Sequence, residues 1–179
     1  MTREKIIQKY IKDKEVLDVG GVGQSGEYNL WQDMKSCAMA LTGIDIVPSS
    51  DDNMVEGNME NYLFGRKFDV IVLGDVLEHV DNQGMLLDNC RKHLKEDGIL
   101  IITTPNANWI TVFLPTNPTH TLFHNRSTLS AILERHNFMV TEFRYYYGNK
   151  PYYNYLLRPF ILRQQMLAIC KINKPQDIK

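Results

Sequence analysis

The stretch EVLDVGGVGQSGEY, residues 15–28, decides how the chain is read. It opens as an apolar run of the kind that becomes a buried parallel strand. Gly21, Gly23 and Gly26 then spell G-x-G-x-x-G, and Asp45 closes the next apolar run. That pattern makes a loop whose amides and following helix cradle a pyrophosphate, with the later acid on a ribose. Asp18 and Gly20, just ahead of the glycines, spell a second pattern, D-x-G, at the mouth of the same strand. A carboxylate there would repel a doubly negative pyrophosphate and favour a ligand that carries positive charge.

Beyond this stretch, strand-like and helix-like runs alternate, as in a mostly parallel sheet with helices on both faces. Strands are expected at residues 15–19, 40–45, 68–74 and 98–104, with a short one near 54–56. Helices are expected at 27–35, 82–94 and 127–136, the last begun by Ser127 as N-cap. Two further strands, 138–147 and 165–172, complete the pattern. The charged start MTREKIIQKYIKDK places Ile6, Ile7, Tyr10 and Ile11 on one helical face. It reads as a docked amphipathic helix and not as a signal peptide, so a cytoplasmic location is expected.

Bulk properties narrow the function classes. At 179 residues with 44% apolar content, the chain is expected to form a single domain spanning residues 1–179, with no room for a separate substrate-binding domain. A net charge of −1 with scattered Lys and Arg argues against a nucleic-acid partner, which would call for a basic stripe. Cys37, Cys90 and Cys170 are odd in number and far apart, which fits neither a disulfide framework nor a thiolate zinc site. No run approaches the roughly 18 consecutive apolar residues of a membrane span.

The chain resembles the class I S-adenosylmethionine-dependent methyltransferases over most of its length. The resemblance rests on VLDVGGVGQSG for the glycine loop, GIDI at the second strand, GNMEN after the third and FDVIVLGDVLEHV at the fourth. LLDNCRKHLKEDGILIITTPN follows as helix, turn and fifth strand. One departure is Val22, which stands where the family loop carries its middle glycine. The resemblance implies a Rossmann-like α/β fold: a seven-stranded, doubly wound, mostly parallel sheet with an antiparallel last strand. S-adenosylmethionine carries no phosphate but bears a sulfonium and an ammonium, which agrees with the charge of Asp18.

Carried over residue by residue, the resemblance places Asp18 on the methionine ammonium, with Gly20 and Gly21 giving close backbone approach. Asp45, followed by Ile46, would receive the ribose hydroxyls. Asn58 would meet the adenine amino edge, Met59 would pack on the ring, and Leu73 and Gly74 would offer backbone contacts to the ammonium. On the acceptor side, GDVLEHV sets Asp75, Glu78 and His79 past the fourth strand, and PTHTLFHNRSTL sets His120 and His124 past the fifth. The layout is similar to that of the ubiquinone-pathway O-methyltransferases and of small-RNA 2′-O-methyltransferases. It implies Asp75, Glu78, His79 and His120 as candidate ligands of a divalent metal. The metal-free alternative gives His79 or His120, with Glu78, a general-base or substrate-binding role.

These readings converge on an S-adenosylmethionine-dependent methyltransferase that methylates an oxygen of a small molecule, a glycan or a lipid-linked sugar. The alternatives are a metal-dependent RNA 2′-O-methyltransferase, an NAD-binding oxidoreductase and a non-catalytic nucleotide-binding module. The tyrosine-rich segment YYYGNKPYYNYLLRPFILRQQ, with Tyr152, Tyr155, Leu156, Pro159 and Phe160, is expected to cover the site's mouth or touch a membrane surface. The sequence leaves the oligomeric state open.

Overall fold

The computed structural model describes residues 3–22, 30–108, 119–146 and 165–174. Seven strands form one sheet in the order β3-β2-β1-β4-β5-β7-β6. Here β1 is Glu15–Val19, β2 Ala40–Asp45, β3 Met54–Glu56, β4 Phe68–Gly74, β5 Leu94–Pro105, β6 Phe138–Tyr146 and β7 Gln165–Ile172. The first five strands run parallel, and β7 inserts antiparallel between β5 and β6. The expected doubly wound sheet with its antiparallel last strand is therefore present. The order turns back on itself between β1 and β4, so a crevice opens at the carboxyl ends of these strands.

Alternation along each strand divides the core into two layers. Leu17, Ile71, Leu73, Leu100 and Ile102 face α3 (Gln83–His93) and α4 (Arg126–Arg135), meeting Leu86, Leu87, Leu129 and Leu133. Val16, Val70, Val72 and Ile101 face the other way, against α1 (Arg3–Ile11) and α2 (Leu30–Lys35). Ile6, Ile7 and Ile11 close that second layer, as the helical face of the opening segment requires. Asp18 shares the parity of Val16, so its carboxylate enters the α1/α2 layer. Truncating any fully buried Leu or Ile here should cost about 2–5 kcal/mol.

Three boundaries differ from expectation for identifiable reasons. The third helix stops at His93, and β5 already begins at Leu94, which pairs with Phe68 before a bulge returns Ile99 to register with Val70. The turn expected at residues 95–97 is thus absorbed as an irregularity within the strand. The fourth helix is capped by Asn125, not Ser127: Asn125 accepts from Thr128 N while the Thr128 side chain accepts from Asn125 N. That reciprocal pair satisfies two orphan amides, which Ser127 two residues later could not do. Residues 27–29 and 147, the ends of an expected helix and strand, lie outside the described residues.

On α2, Trp31 donates its indole N–H to Asp51 at 3.0 Å, and a Cβ on Gly43 would lie 2.8 Å from the indole ring and 2.3 Å from Met54 Sδ. Gly43 is therefore fixed by lack of space and not by backbone conformation. All three cysteines are free thiols. Among the described residues no helix is long and apolar enough to cross a membrane.

Candidate active site

A cavity of about 640 Å³ opens at the carboxyl ends of β1, β2 and β4. Gly20, Asp45, Ile46, Asn58, Met59, Gly74, Asp75 and His79 all line it, so most of the residues expected from the sequence meet in one place. Asp18, Gly21, Leu73, Glu78 and His120 are not part of its described lining. Leu73 is wholly buried in the core, so only its backbone could take part.

The glycine loop leaves β1 with Gly20 at φ 77, a left-handed conformation, and a Cβ there would lie 2.5 Å from the Val76 side chain. Glycine meets both constraints. A Cβ on Gly21 would fall 2.6 Å from Asp18 Oδ2, which places that carboxylate directly under the loop. Asp18 is fully buried, and neither of its oxygens has a hydrogen-bond partner among the described residues. Burial pushes its carboxyl up to about 8, against the pull of the Arg3 guanidinium and with a further push from Asp45. Gly23 and Gly26 lie outside the described residues.

Asp45 is held differently. Its Oδ2 accepts from Val22 N at 2.8 Å and its Oδ1 from Val47 N at 2.9 Å. The residue that replaces the family's middle glycine thus supplies the amide that ties the loop to the acid. A carboxylate has about four lone-pair sites, so both oxygens keep capacity for a ligand's hydroxyls. Beyond β3, Asn58 Oδ1 accepts from Glu60 N at 2.8 Å, a local turn that uses one of the two lone pairs of the atom expected to face an adenine. Met59 is buried, and its carbonyl is pinned by Asn89 Nδ2 at 2.9 Å.

The other side of the cleft is assembled across a larger sequence gap. The Glu78 carbonyl accepts from Thr121 N at 3.0 Å and from Leu122 N at 3.4 Å, which hangs the segment after β5 on the end of β4. His79 and His120 meet edge to face as a result, with ring centroids 4.6 Å apart. His79 Nδ1 lies 3.1 Å from the Thr119 carbonyl. Thr119 Oγ1 lies 3.1 Å from the same nitrogen, so Thr119 engages Nδ1 in either tautomer, by its carbonyl accepting or its hydroxyl donating, and Nε2 is the ring nitrogen turned to other partners. Glu78 is 1% exposed; its Oε2 accepts from Thr104 Oγ1 at 3.0 Å, while Oε1 has no partner among the described residues. Burial, aided by the charge of Asp75, pushes its carboxyl up to about 8. Burial and the neighbouring His79 lower the pKa of His120, with Asp75 opposing.

One ligand atom from each of Glu78, His79 and His120 falls within 4.8 Å of the others. Asp75, expected as a fourth member, is not in that group. Its Oδ2 accepts from Arg3 Nη1 at 2.6 Å and its Oδ1 from Thr103 Oγ1 at 3.2 Å. His124 is buried away from the group, its Nε2 beside the Gln83 side-chain amide at 2.9 Å. Arg3 lines the cavity and has no counterpart among the residues expected from the sequence. Its only local signal was a cation at the head of an amphipathic helix. The tail residues Tyr152, Tyr155, Leu156, Pro159 and Phe160 lie outside the described residues.

Comparison with known proteins places this geometry. A family model described as a methyltransferase domain matches residues 3–142. The ubiquinone biosynthesis O-methyltransferase of Rickettsia bellii (strain OSU 85-389) is 31% identical over 170 residues, covering 79% of this chain and 69% of that protein. Its namesake from Glaesserella parasuis serovar 5 is 32% identical over 114 residues, covering 52% of this chain and only 46% of its own length. Among solved structures, a SAM dependent methyltransferase from Archaeoglobus fulgidus superposes with TM-score 0.71 at 18% identity, covering 94% of both chains. The N-methyltransferase NodS from Bradyrhizobium japonicum WM9, in complex with S-adenosyl-L-homocysteine, gives 0.69 at 15%, covering 96% of this chain and 86% of that one. At these identities the structural likeness establishes the fold.

Proposed function

This chain belongs to the methyltransferase-domain family, with the class I S-adenosylmethionine-dependent fold, and on that premise we propose that it methylates an oxygen of a small-molecule acceptor. The observation that carries the cofactor reading is Asp18: a wholly buried carboxylate under the glycine loop with neither oxygen partnered among the described residues. An unpaired buried charge is costly, and a ligand ammonium offsets that cost where a pyrophosphate would add to it. Asp45 receives the ribose hydroxyls, Ile46 and Met59 bound the adenine, and the Arg3 guanidinium faces the carboxylate of the methionyl group. When bound, S-adenosylmethionine supplies a methyl group already activated by its sulfonium.

The protein must then align an acceptor oxygen and remove its proton. His79 is placed for that step: it lines the cavity, Thr119 engages its Nδ1, and in the tautomer protonated at Nδ1 its Nε2 accepts the acceptor's proton. Exposed Leu122 and Phe123 next to His120 give the acceptor side an apolar lip, which suits an aromatic or apolar-tailed alcohol. The O-methyltransferase relatives support oxygen as the acceptor atom.

Calorimetric titration with S-adenosylmethionine and with NAD tests the cofactor reading. We expect binding of the first and none of the second, and NAD binding alone would overturn it. A second reading is favoured by the convergence of Glu78, His79 and His120. A mixed carboxylate and imidazole donor set suits a divalent ion, which would lower the acceptor hydroxyl's pKa and fix its position. That reading requires activity to be lost to a chelator and restored by added Mg, Mn, Fe or Zn. Activity indifferent to chelation leaves His79 as the base.

A further inference from the structure

We infer that Asp75 is a positioning residue, which fixes the Arg3 guanidinium on the cavity wall for the carboxylate of the cofactor's amino-acid end. The inference rests on the cofactor reading above. Arg3 begins α1 and Asp75 follows β4, and they pair at 2.6 Å on the lining of the cavity. Side-chain exposure is 16% for Arg3 and 32% for Asp75, so the pair is shielded more than a surface bridge. Arg3 Nε also reaches Glu4 Oε1 at 3.4 Å. These two contacts use two of the guanidinium's five N–H donors and settle its plane while leaving others for a ligand.

Asp75 is itself held firmly. Its backbone sits at φ 57, in the left-handed region that costs most residues about 1–2 kcal/mol and Asp or Asn less. Its amide donates to the Thr103 carbonyl and to Thr103 Oγ1, both at 3.1 Å, and Thr103 Oγ1 donates back to Asp75 Oδ1. The turn is thereby wound so that one carboxylate oxygen anchors on β5 and the other is presented to Arg3. A side chain one methylene longer would carry its carboxylate past that arrangement. Asp18, buried in the layer beneath α1, feels the same guanidinium. A cation fixed on the cavity wall, with the Asp18 carboxyl buried under the glycine loop within its field, matches an α-amino-acid zwitterion, the part of S-adenosylmethionine that a plain nucleoside lacks.

Binding of two probes separates positioning from a merely structural role. S-adenosylhomocysteine carries the amino-acid end and 5′-methylthioadenosine lacks it. Asp75→Asn keeps the shape and the tolerance of a left-handed backbone but removes the charge. It should weaken S-adenosylhomocysteine about tenfold, the scale of one charged hydrogen bond. Affinity for 5′-methylthioadenosine should stay within about twofold. Arg3→Met should show the same selective loss, and the double variant should be no worse than Arg3→Met alone, because each residue acts through the other. Should Asp75→Asn fail to fold, Thr103→Val, which removes one anchor of the carboxylate, should give a smaller loss confined to S-adenosylhomocysteine. Equal loss for both probes, no loss for either, or strictly additive effects would overturn the inference. Wild-type protein that binds neither probe overturns the cofactor reading instead.

Discussion

Asp45 and Glu78, one on each half of the cleft, are held in opposite ways. On the cofactor half Asp45 gives one oxygen to Val22 N and the other to Val47 N, so the main chain itself fixes the carboxylate. On the acceptor half Glu78 has a single hydroxyl partner, Thr104, and a second oxygen that is buried without one among the described residues. The first arrangement is finished before any ligand arrives. The second is poised, since a cation or a proton must settle on Glu78 for its burial to be tolerable. Ribose recognition at Asp45 should therefore depend on backbone geometry, whereas chemistry should depend on a few side chains brought together from distant segments.

The hardest blow to that contrast falls on the acceptor half. His79→Ala and His120→Ala should each lower turnover by about 10²–10⁴-fold, the scale for removing a general acid–base group. Both should leave S-adenosylhomocysteine affinity within about twofold. Steady-state kinetics beside calorimetry checks this, and a parallel loss of affinity would merge the two halves. Next in size, Asp45→Ala should weaken S-adenosylmethionine by about 1.5–3 kcal/mol, with the Val22 amide losing its tie as well. Unchanged affinity by calorimetry would remove Asp45 from the site.

Asp18 sharpens the contrast through pH. Its folded carboxyl, pushed up to about 8 by burial, binds its proton more tightly than the unfolded chain's does. Between about pH 4 and pH 8 the unfolded state then holds fewer protons, and the ligand-free protein should lose stability as pH rises. Asp18→Asn should flatten that slope. S-adenosylhomocysteine, whose ammonium compensates the ionised acid, should raise the melting temperature more at about pH 8 than at about pH 6. The smallest effect belongs to the frame: Gln83→Ala, which removes the partner of His124, should cost about 1–3 kcal/mol of stability and leave ligand affinity untouched. Chemical denaturation reads the first and calorimetry the second.

The sheet was legible because buried parallel strands advertise themselves as unbroken apolar runs, as in Val16, Leu17 and Val19 or Val70 to Leu73. Asp18 and Asp45 were legible for a related reason: they sit at strand ends, where local sequence alone fixes position. Arg3 was not, because its meaning lies in Asp75, a partner 72 residues away that no periodicity connects. The engagement of Asp75 was missed likewise, since a residue type that fits a metal set also fits an ion pair and only the fold brings Arg3 to it. The tie from Val22 to Asp45 was hidden for another cause. Sequence reading weighs what a side chain at that position would obstruct, whereas the structure uses its amide.

The packing of Trp31 gives the protein an optical handle. Its indole N–H is held by Asp51, whose carboxyl stays down near about 2 chiefly through its hydrogen bond from Lys35, so the ring has a steady charged neighbour across the neutral pH range. Met54 bridges the pocket between that ring and the glycine loop, for the sites of a Gly43 Cβ and a Gly21 Cβ both fall within 3.1 Å of its terminal methyl. A displacement of the loop at Gly21 toward Met54 would press on that side chain, which packs against the cluster that holds Trp31. The sequence holds one other tryptophan, Trp109, and changing it to phenylalanine would leave Trp31 as the sole indole emitter. Its fluorescence would then follow the loop's position without any attached dye.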